Sequence, residues 1–174
     1  MYLSQQSFSS VLPTNVIFGV NSVEESLVVK IKELNKLNVF IATDPGLVQT
    51  GIPDKIQSLL KENGIHSIVF SEIEPNPRAV TVMKGAQVYK AESCDMILAV
   101  GGGSAMDFSK AVGVMVSHPG HILDYRRGEK PVVNEIPTLF AIPTTVGTGS
   151  EVTNVAVVTD HEAKIGRASC RERV

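Results

Sequence analysis

Met96-Ile97-Leu98-Ala99-Val100-Gly101-Gly102-Gly103-Ser104 decides how this chain folds. Five apolar residues in unbroken succession describe a strand buried on both faces, the kind found in a parallel sheet covered by helices on either side. Three glycines end the run, and Met106, Ala111 and Val114 then recur along a helix. A strand that passes into a helix through glycines aims bare backbone N–H groups and the positive helix end at one point. That point is an anion site, because no Cβ stands between the main chain and a phosphate. The segment lacks the Gly-x-Gly-x-x-Gly spacing and the later strand-end acid of the usual dinucleotide fingerprint.

Outward from this unit the alternation of strand and helix repeats. Toward the N terminus, Pro75-Asn76-Pro77 breaks the chain before a helix through Val80, Met83, Ala86 and Val88. His66 to Phe70 reads as a strand, preceded by a helix with Pro53 in its first turn and Asn63-Gly64 at its end. Val39-Phe40-Ile41-Ala42 is another buried strand, and Val23, Leu27, Ile31 and Leu34 mark a helix before it, capped by Asn21 or Ser22. Apolar residues near Phe8 to Val11 and at Val16-Ile17-Phe18 flank Pro13-Thr14-Asn15, the pattern of a short hairpin. Toward the C terminus, residues 117–134 read as a surface excursion, while Thr138 to Ile142 and Val152 to Val158 read as the last strands. The fold expected is α/β, with a mainly parallel sheet and helices on both faces, in a Rossmann-like arrangement.

Composition narrows the function. The 174 residues carry 16 basic and 18 acidic side chains, so no basic footprint for nucleic acid exists. Two cysteines, Cys94 and Cys170, cannot build a disulfide framework, and the first residues lack the basic and apolar regions of a signal peptide. No apolar run approaches the ~20 residues that span a bilayer. A cytoplasmic protein that binds neither nucleic acid nor membrane is expected.

Residues 165–174 change character, crowding Arg167, Arg171 and Arg173 around Cys170 without apolar periodicity. In codons they can be written ATC GGA AGA GCG TCG TGT AGG GAA AGA GTG, similar to a short-read sequencing adapter. We expect residues 1–164 to form a dinucleotide-binding α/β domain, residues 165–174 to be an adapter artefact rather than the alternative, a genuine basic extension, and the gene to continue beyond Lys164.

Two further segments complete a candidate site. Thr43-Asp44 ends the strand at Ala42, where a carboxylate can accept both hydroxyls of an adenosine ribose, or serve only as a turn residue. Pro143-Thr144-Thr145-Val146-Gly147-Thr148-Gly149-Ser150-Glu151 gathers hydroxyls and glycines after a buried strand, where open α/β sheets hold ligands. Asp107 and Lys110 either pair within the glycine-led helix or contact the ligand directly. Cys94, with no basic neighbour, reads as a packing residue. Met83, Met96, Met106 and Met115 read as core. His66, His118, His121 and His161 form no helical pair with a nearby carboxylate, so metal ligation by these residues is not expected.

Gly101-Gly102-Gly103-Ser104 with Asp107 and Lys110, Pro75-Asn76-Pro77, Thr43-Asp44 and Pro143 to Thr153 together resemble the iron-containing (group III) alcohol dehydrogenases, over essentially all of residues 1–164. The resemblance implies the N-terminal nucleotide-binding domain of that family, with a dehydroquinate-synthase-like fold. It implies Asp44 on the ribose, Asn76 near the phosphate and nicotinamide side, and Gly102, Gly103 and Ser104 on the pyrophosphate. Thr144, Thr145 and Thr148 would contact the adenine and phosphate portions. It implies NAD as cofactor and a divalent metal, iron in the family's name, held by an Asp and three His in a helical C-terminal domain that this chain lacks. The family lysine expected shortly after Lys164 is missing as well.

The activity implied is interconversion of a small alcohol or diol with its aldehyde or ketone, by a full-length enzyme that could be a homo-oligomer. The chain alone is expected to be inactive, with no catalytic or metal-binding residue of its own. Alternatives are a related member acting on glycerol, maleylacetate or a hydroxy acid, and a stand-alone nucleotide-binding module without catalysis.

Overall fold

Four parallel strands form the sheet of the computed structural model, which describes residues 14–126 and 129–160. They are β1 (Asn38–Ala42), β2 (His66–Phe70), β3 (Met96–Gly101) and β4 (Leu139–Pro143), in the spatial order β2-β1-β3-β4. Among the described residues five α-helices accompany them: α1 (Ser22–Glu33), α2 (Pro45–Val48), α3 (Ile52–Glu62), α4 (Ala79–Ala91) and α5 (Gly103–Ser117). The central strand β3 is buried at all six positions, as its uninterrupted apolar sequence requires.

Alternation along the strands divides the core into two layers. Val39 and Ile41 of β1, with Met96, Leu98 and Val100 of β3, meet Leu27 and Ile31 of α1 and Ile56 and Leu60 of α3. Phe40, Ala42 and Ile97 point the other way, into a layer with Val82 and Ala86 of α4 and Phe108, Ala111 and Val112 of α5. Stacked rings reinforce this second layer, with the Phe70 and Phe108 centroids 5.1 Å apart and those of Phe40 and Phe70 5.8 Å apart. Leu98 is fully buried between strands and helices, and its truncation to Ala would cost about 2–5 kcal/mol.

Several expectations give way. Val16-Ile17-Phe18 forms no strand among the described residues, and Phe18 is 97% exposed. Its proposed hairpin partner, Phe8 to Val11, lies outside the described residues, as do Pro13, His161 and residues 165–174. Asn21 occupies the cap position of α1 in a left-handed conformation, but its side chain makes no capping hydrogen bond. Ser22 is already helical. In α4, Val80 is 63% exposed; Thr81, Val82, Gly85 and Tyr89 supply the buried face with Ala79 and Ala86.

Most described residues of the stretch 117–134 are exposed, as a surface excursion requires, but three buried side chains pin it to the body. Ile122 and Tyr125 of a short 3-10 helix (Ile122–Tyr125) are buried in the α4–α5 layer. His118 is buried too: its Nε2 accepts the Val133 and Asn134 N–H groups at 3.0 and 2.9 Å, and its Nδ1 lies 3.1 Å from the Val114 carbonyl. His121 works at the start of that 3-10 helix, its Nδ1 accepting the Leu123 N–H at 3.3 Å. Val152 to Val158 is also no strand. Among the described residues its neighbourhood has a single isolated bridge, Arg78 with Thr159, while Ala156 and Val158 plug the core as irregular chain.

Candidate functional site

Strand order puts the site where it is. From β1 the chain moves outward to β2, then crosses back past β1 to β3, so the connections diverge between β1 and β3. In an open parallel sheet such a divergence leaves a crevice beyond the carboxyl ends of the two strands. Register brings the motifs level there: Ala42 pairs with Ala99 and Gly101 with Pro143. Asp44, two residues beyond Ala42, therefore stands beside Gly101, and Thr144 follows on the other side.

A cleft of about 490 Å³ opens at this point. Of the residues singled out in the sequence, Asp44, Gly102, Gly103, Ser104, Thr144 and Thr145 line it. Asn76 and Thr148 stand at its border. The Asn76 N–H donates to Ser104 Oγ at 3.2 Å, joining the Pro75-Asn76-Pro77 turn to the first turn of α5. Thr148 packs over Gly103, where an added Cβ would lie 3.3 Å from the threonine Cβ, and its hydroxyl donates to Glu151 Oε2 at 3.0 Å.

Gly102 is the N-cap residue of α5 and Gly103 its first helical residue, so the leading N–H groups of a 15-residue helix face the cleft. An added Cβ at Gly102 would come within 3.1 Å of Thr145 Oγ1. Gly101 is held by conformation as well as space: its φ is +152°, and a Cβ there would lie 2.8 Å from Ala105 Cβ. Its carbonyl accepts the Thr144 N–H at 2.9 Å, seating the threonine loop against the glycine turn.

Asp44 performs a local task besides facing the cleft. It is the N-cap of α2, accepting the Leu47 N–H on Oδ1 at 2.9 Å. That bond explains why the strand-end acid keeps a defined orientation. Sequence reasoning missed Pro45, Gly46, Ile73, Glu74, Pro75 and Ala105, which also line the cleft. Glu74 was detectable as the acid preceding the Pro-Asn-Pro turn. Burial works to raise its pKa, but hydrogen bonds from the Arg78 side chain, the Thr81 hydroxyl and backbone N–H groups outweigh it and hold the carboxyl below the usual glutamate range.

Asp107 and Lys110 do pair, at 3.2 Å, on the side of α5 that faces the end of the threonine loop. Asp107 accepts the Ser150 hydroxyl at 3.0 Å and the Val157 N–H at 3.1 Å. The Lys110 ammonium donates to the Ser150 and Thr153 carbonyls at 2.9 and 3.3 Å and to that of Val155. Neither lines the cleft. Cys94 is buried, and desolvation, with Glu92 and Asp95 nearby, pushes its thiol up to about 11, as a packing residue allows.

The cleft fits a dinucleotide: it has glycine backbone, the leading N–H groups of α5 and a carboxylate one strand away. It does not fit a metal. Among the described residues no group of three His, Cys, Asp or Glu could hold one. No helix of the described residues is long and apolar enough to cross a membrane.

Comparison with known proteins places these features in context. Residues 13–173 match the family described as iron-containing alcohol dehydrogenase. The chain is 43% identical over 162 residues to choline dehydrogenase of Bacillus subtilis, covering 91% of this chain and 40% of that protein. It is 36% identical over 166 residues to 1,3-propanediol dehydrogenase of Citrobacter freundii, covering 94% and 42%. Among solved structures, sulfoacetaldehyde reductase from Bifidobacterium kashiwanohense in complex with NAD+ superposes with a TM-score of 0.88 at 28% identity, over 96% of this chain and 44% of that one. The chain thus spans well under half the length of these relatives.

Proposed function

The chain belongs to the iron-containing alcohol dehydrogenase family, and from that membership we propose that it is the NAD-binding part of a metal-assisted dehydrogenase interconverting a small alcohol or diol with its aldehyde or ketone. The observation that carries the proposal is the meeting of Asp44, Gly102 to Ser104 and Thr144-Thr145 around one cleft at the divergence of β1 and β3. NAD, when bound, would accept or donate the hydride. The residues described here bind and orient it.

In this proposal the pyrophosphate rests on the N–H groups that open α5, and Ser104 can donate its own proton there because its oxygen already accepts the Asn76 N–H. Asp44 holds the adenosine ribose with the oxygen not committed to Leu47. Thr144, Thr145 and Thr148 wall the cofactor from the side of β4. The described residues offer no metal centre, so the part of the enzyme that polarises the substrate oxygen lies elsewhere in this proposal. Choline and 1,3-propanediol, named for two of the relatives, are both small primary alcohols, and that is the substrate class we assign. A cytoplasmic setting, and self-assembly of the full-length enzyme, belong to the same reading.

Titration of the 174-residue chain with NADH, followed by nicotinamide fluorescence, tests the site. Saturable binding is expected, together with no turnover of 1,3-propanediol or choline when iron or zinc is added. A chain that leaves NADH fluorescence and exchange at the cleft unchanged would sink the proposal, and metal-dependent turnover would sink the division of labour.

A further inference from the structure

The threonine loop that walls the cleft is held from behind. Gly147 and Gly149 both have left-handed φ values, +90° and +68°, and Val146 between the threonines is fully exposed, so the loop has little packing of its own. Its start is tied by the Thr144 N–H to the Gly101 carbonyl. Its end is tied by the node on α5: Asp107 takes the Ser150 hydroxyl, and the Lys110 ammonium reaches the carbonyls of Ser150, Thr153 and Val155. Three carbonyls from six consecutive residues converge on one cation, whose charge offsets the mutual repulsion of their dipoles.

We infer that Lys110, charge-balanced by Asp107, is a positioning residue for the cofactor: its ammonium fills a cage of loop carbonyls and thereby fixes Thr145 and Thr148 over the glycine turn. The inference rests on the cleft being the NAD site. Direct attraction between Lys110 and a pyrophosphate is disfavoured by two observations. Lys110 does not line the cleft, and its charge is paired at 3.2 Å with a carboxylate as buried as itself, the two side chains being 13% and 11% exposed. The contribution is therefore preorganisation. A loop already ordered before binding does not charge its ordering entropy to the cofactor. The same loop carries the atoms nearest Gly102 and Gly103, Thr145 Oγ1 at 3.1 Å and Thr148 Cβ at 3.3 Å from the ideal Cβ positions.

The cage suggests its own test. In Lys110→Ala the carbonyls remain while the ammonium is gone, so a small soluble cation can take its place. NADH binding should weaken about tenfold or more in tetramethylammonium chloride, which is too bulky for the cage. It should recover severalfold in methylammonium or potassium chloride at the same ionic strength. Hydrogen exchange should speed up at residues 144–158 and stay unchanged in β1 and β2. Because the alanine variant leaves Asp107 buried without its partner, Asp107→Asn/Lys110→Met, a neutral pair of similar size, serves as the second variant and should show the weakening without cation recovery.

Unchanged NADH affinity in both variants would overturn the positioning role while leaving the cleft as the NAD site. Lost protection in β1 and β2 in both variants, with no cation recovery, would assign the node to folding and overturn it too. Failure of the unsubstituted chain to bind NADH would remove the site itself, an outcome seen before any variant is made.

Discussion

Asp44 and Gly101 face each other across the gap between β1 and β3: Asp44 Oδ2 lies 3.4 Å from where a Cβ on Gly101 would sit. The positions proposed for the ribose and for the pyrophosphate are thus immediate neighbours. A 2′-phosphate on that ribose would bring its charge onto Asp44, with no arginine in residues 45–52 to offset it. Like-charge juxtaposition costs several kcal/mol, so NAD should bind at least about a hundredfold more tightly than NADP. Asp44→Gly should relax the preference, but it also removes the cap on Leu47. Asp44→Asn keeps a capping oxygen without the charge and should relax it likewise. Equal NAD/NADP ratios in wild type and both variants would reduce Asp44 to a cap.

Gly102→Val should weaken NADH binding by about tenfold or more, because a branched side chain would stand in the pyrophosphate's approach and press on Thr145 Oγ1, already 3.1 Å from a bare Cβ. Thermal stability should change much less than affinity. Wild-type affinity in the variant would separate the glycine turn from the ligand.

Gly101→Ala should act on the fold instead. A φ of +152° is open only to glycine, and the new Cβ would collide with Ala105 at 2.8 Å. We expect a loss of about 1–3 kcal/mol or more in urea denaturation. A variant as stable as wild type would mean that the turn relaxes freely.

Glu74 should make stability sensitive to acid. Its folded pKa lies below its ordinary value of 4.5, since the hydrogen bonds to Arg78 and Thr81 outweigh the opposing effect of burial. A carboxyl depressed in the folded state stabilises above its unfolded pKa, and that contribution is lost as pH falls through the folded value. Glu74→Gln should accordingly lower stability at pH 7, and the difference from wild type should shrink below about pH 4. A gap that stays constant from pH 7 to pH 3 would contradict the assignment.

Cys94 should resist thiol reagents. Its pKa of about 11 leaves little thiolate at pH 8, and the side chain is buried. In a Cys170→Ser background, iodoacetamide should label the folded chain at least tenfold more slowly than the chain in guanidinium, by mass spectrometry. Equal rates would place Cys94 in contact with solvent.

The sequence by itself determined the existence and order of the strands β1, β2 and β3 and of the helices α1, α3, α4 and α5, and the parallel α/β class. Unbroken apolar runs such as Met96 to Val100 and the period of Val23, Leu27 and Ile31 are local signals, and local signals survive in one dimension. It also marked half of the residues that line the cleft, because a glycine turn at a strand end and an acid at another carry their chemistry in the backbone and the residue type.

Only the tertiary structure decided that these marks belong together. The order β2-β1-β3-β4 brings Asp44 beside Gly101, 57 positions apart along the chain, and nothing in the periodicity of either strand encodes which neighbour it takes. The same limit explains the misread segments. Val152 to Val158 has the composition of a strand, but the N–H of Val157 goes to Asp107 and the Val155 carbonyl to Lys110, not to a neighbouring strand. In residues 117–134, polar composition correctly suggested solvent for most positions but not the buried His118, which accepts two backbone N–H groups. Apolar pattern reports how much surface a segment must bury. Which partner buries it, and which side chain satisfies its backbone, is fixed by contacts between residues far apart in the chain.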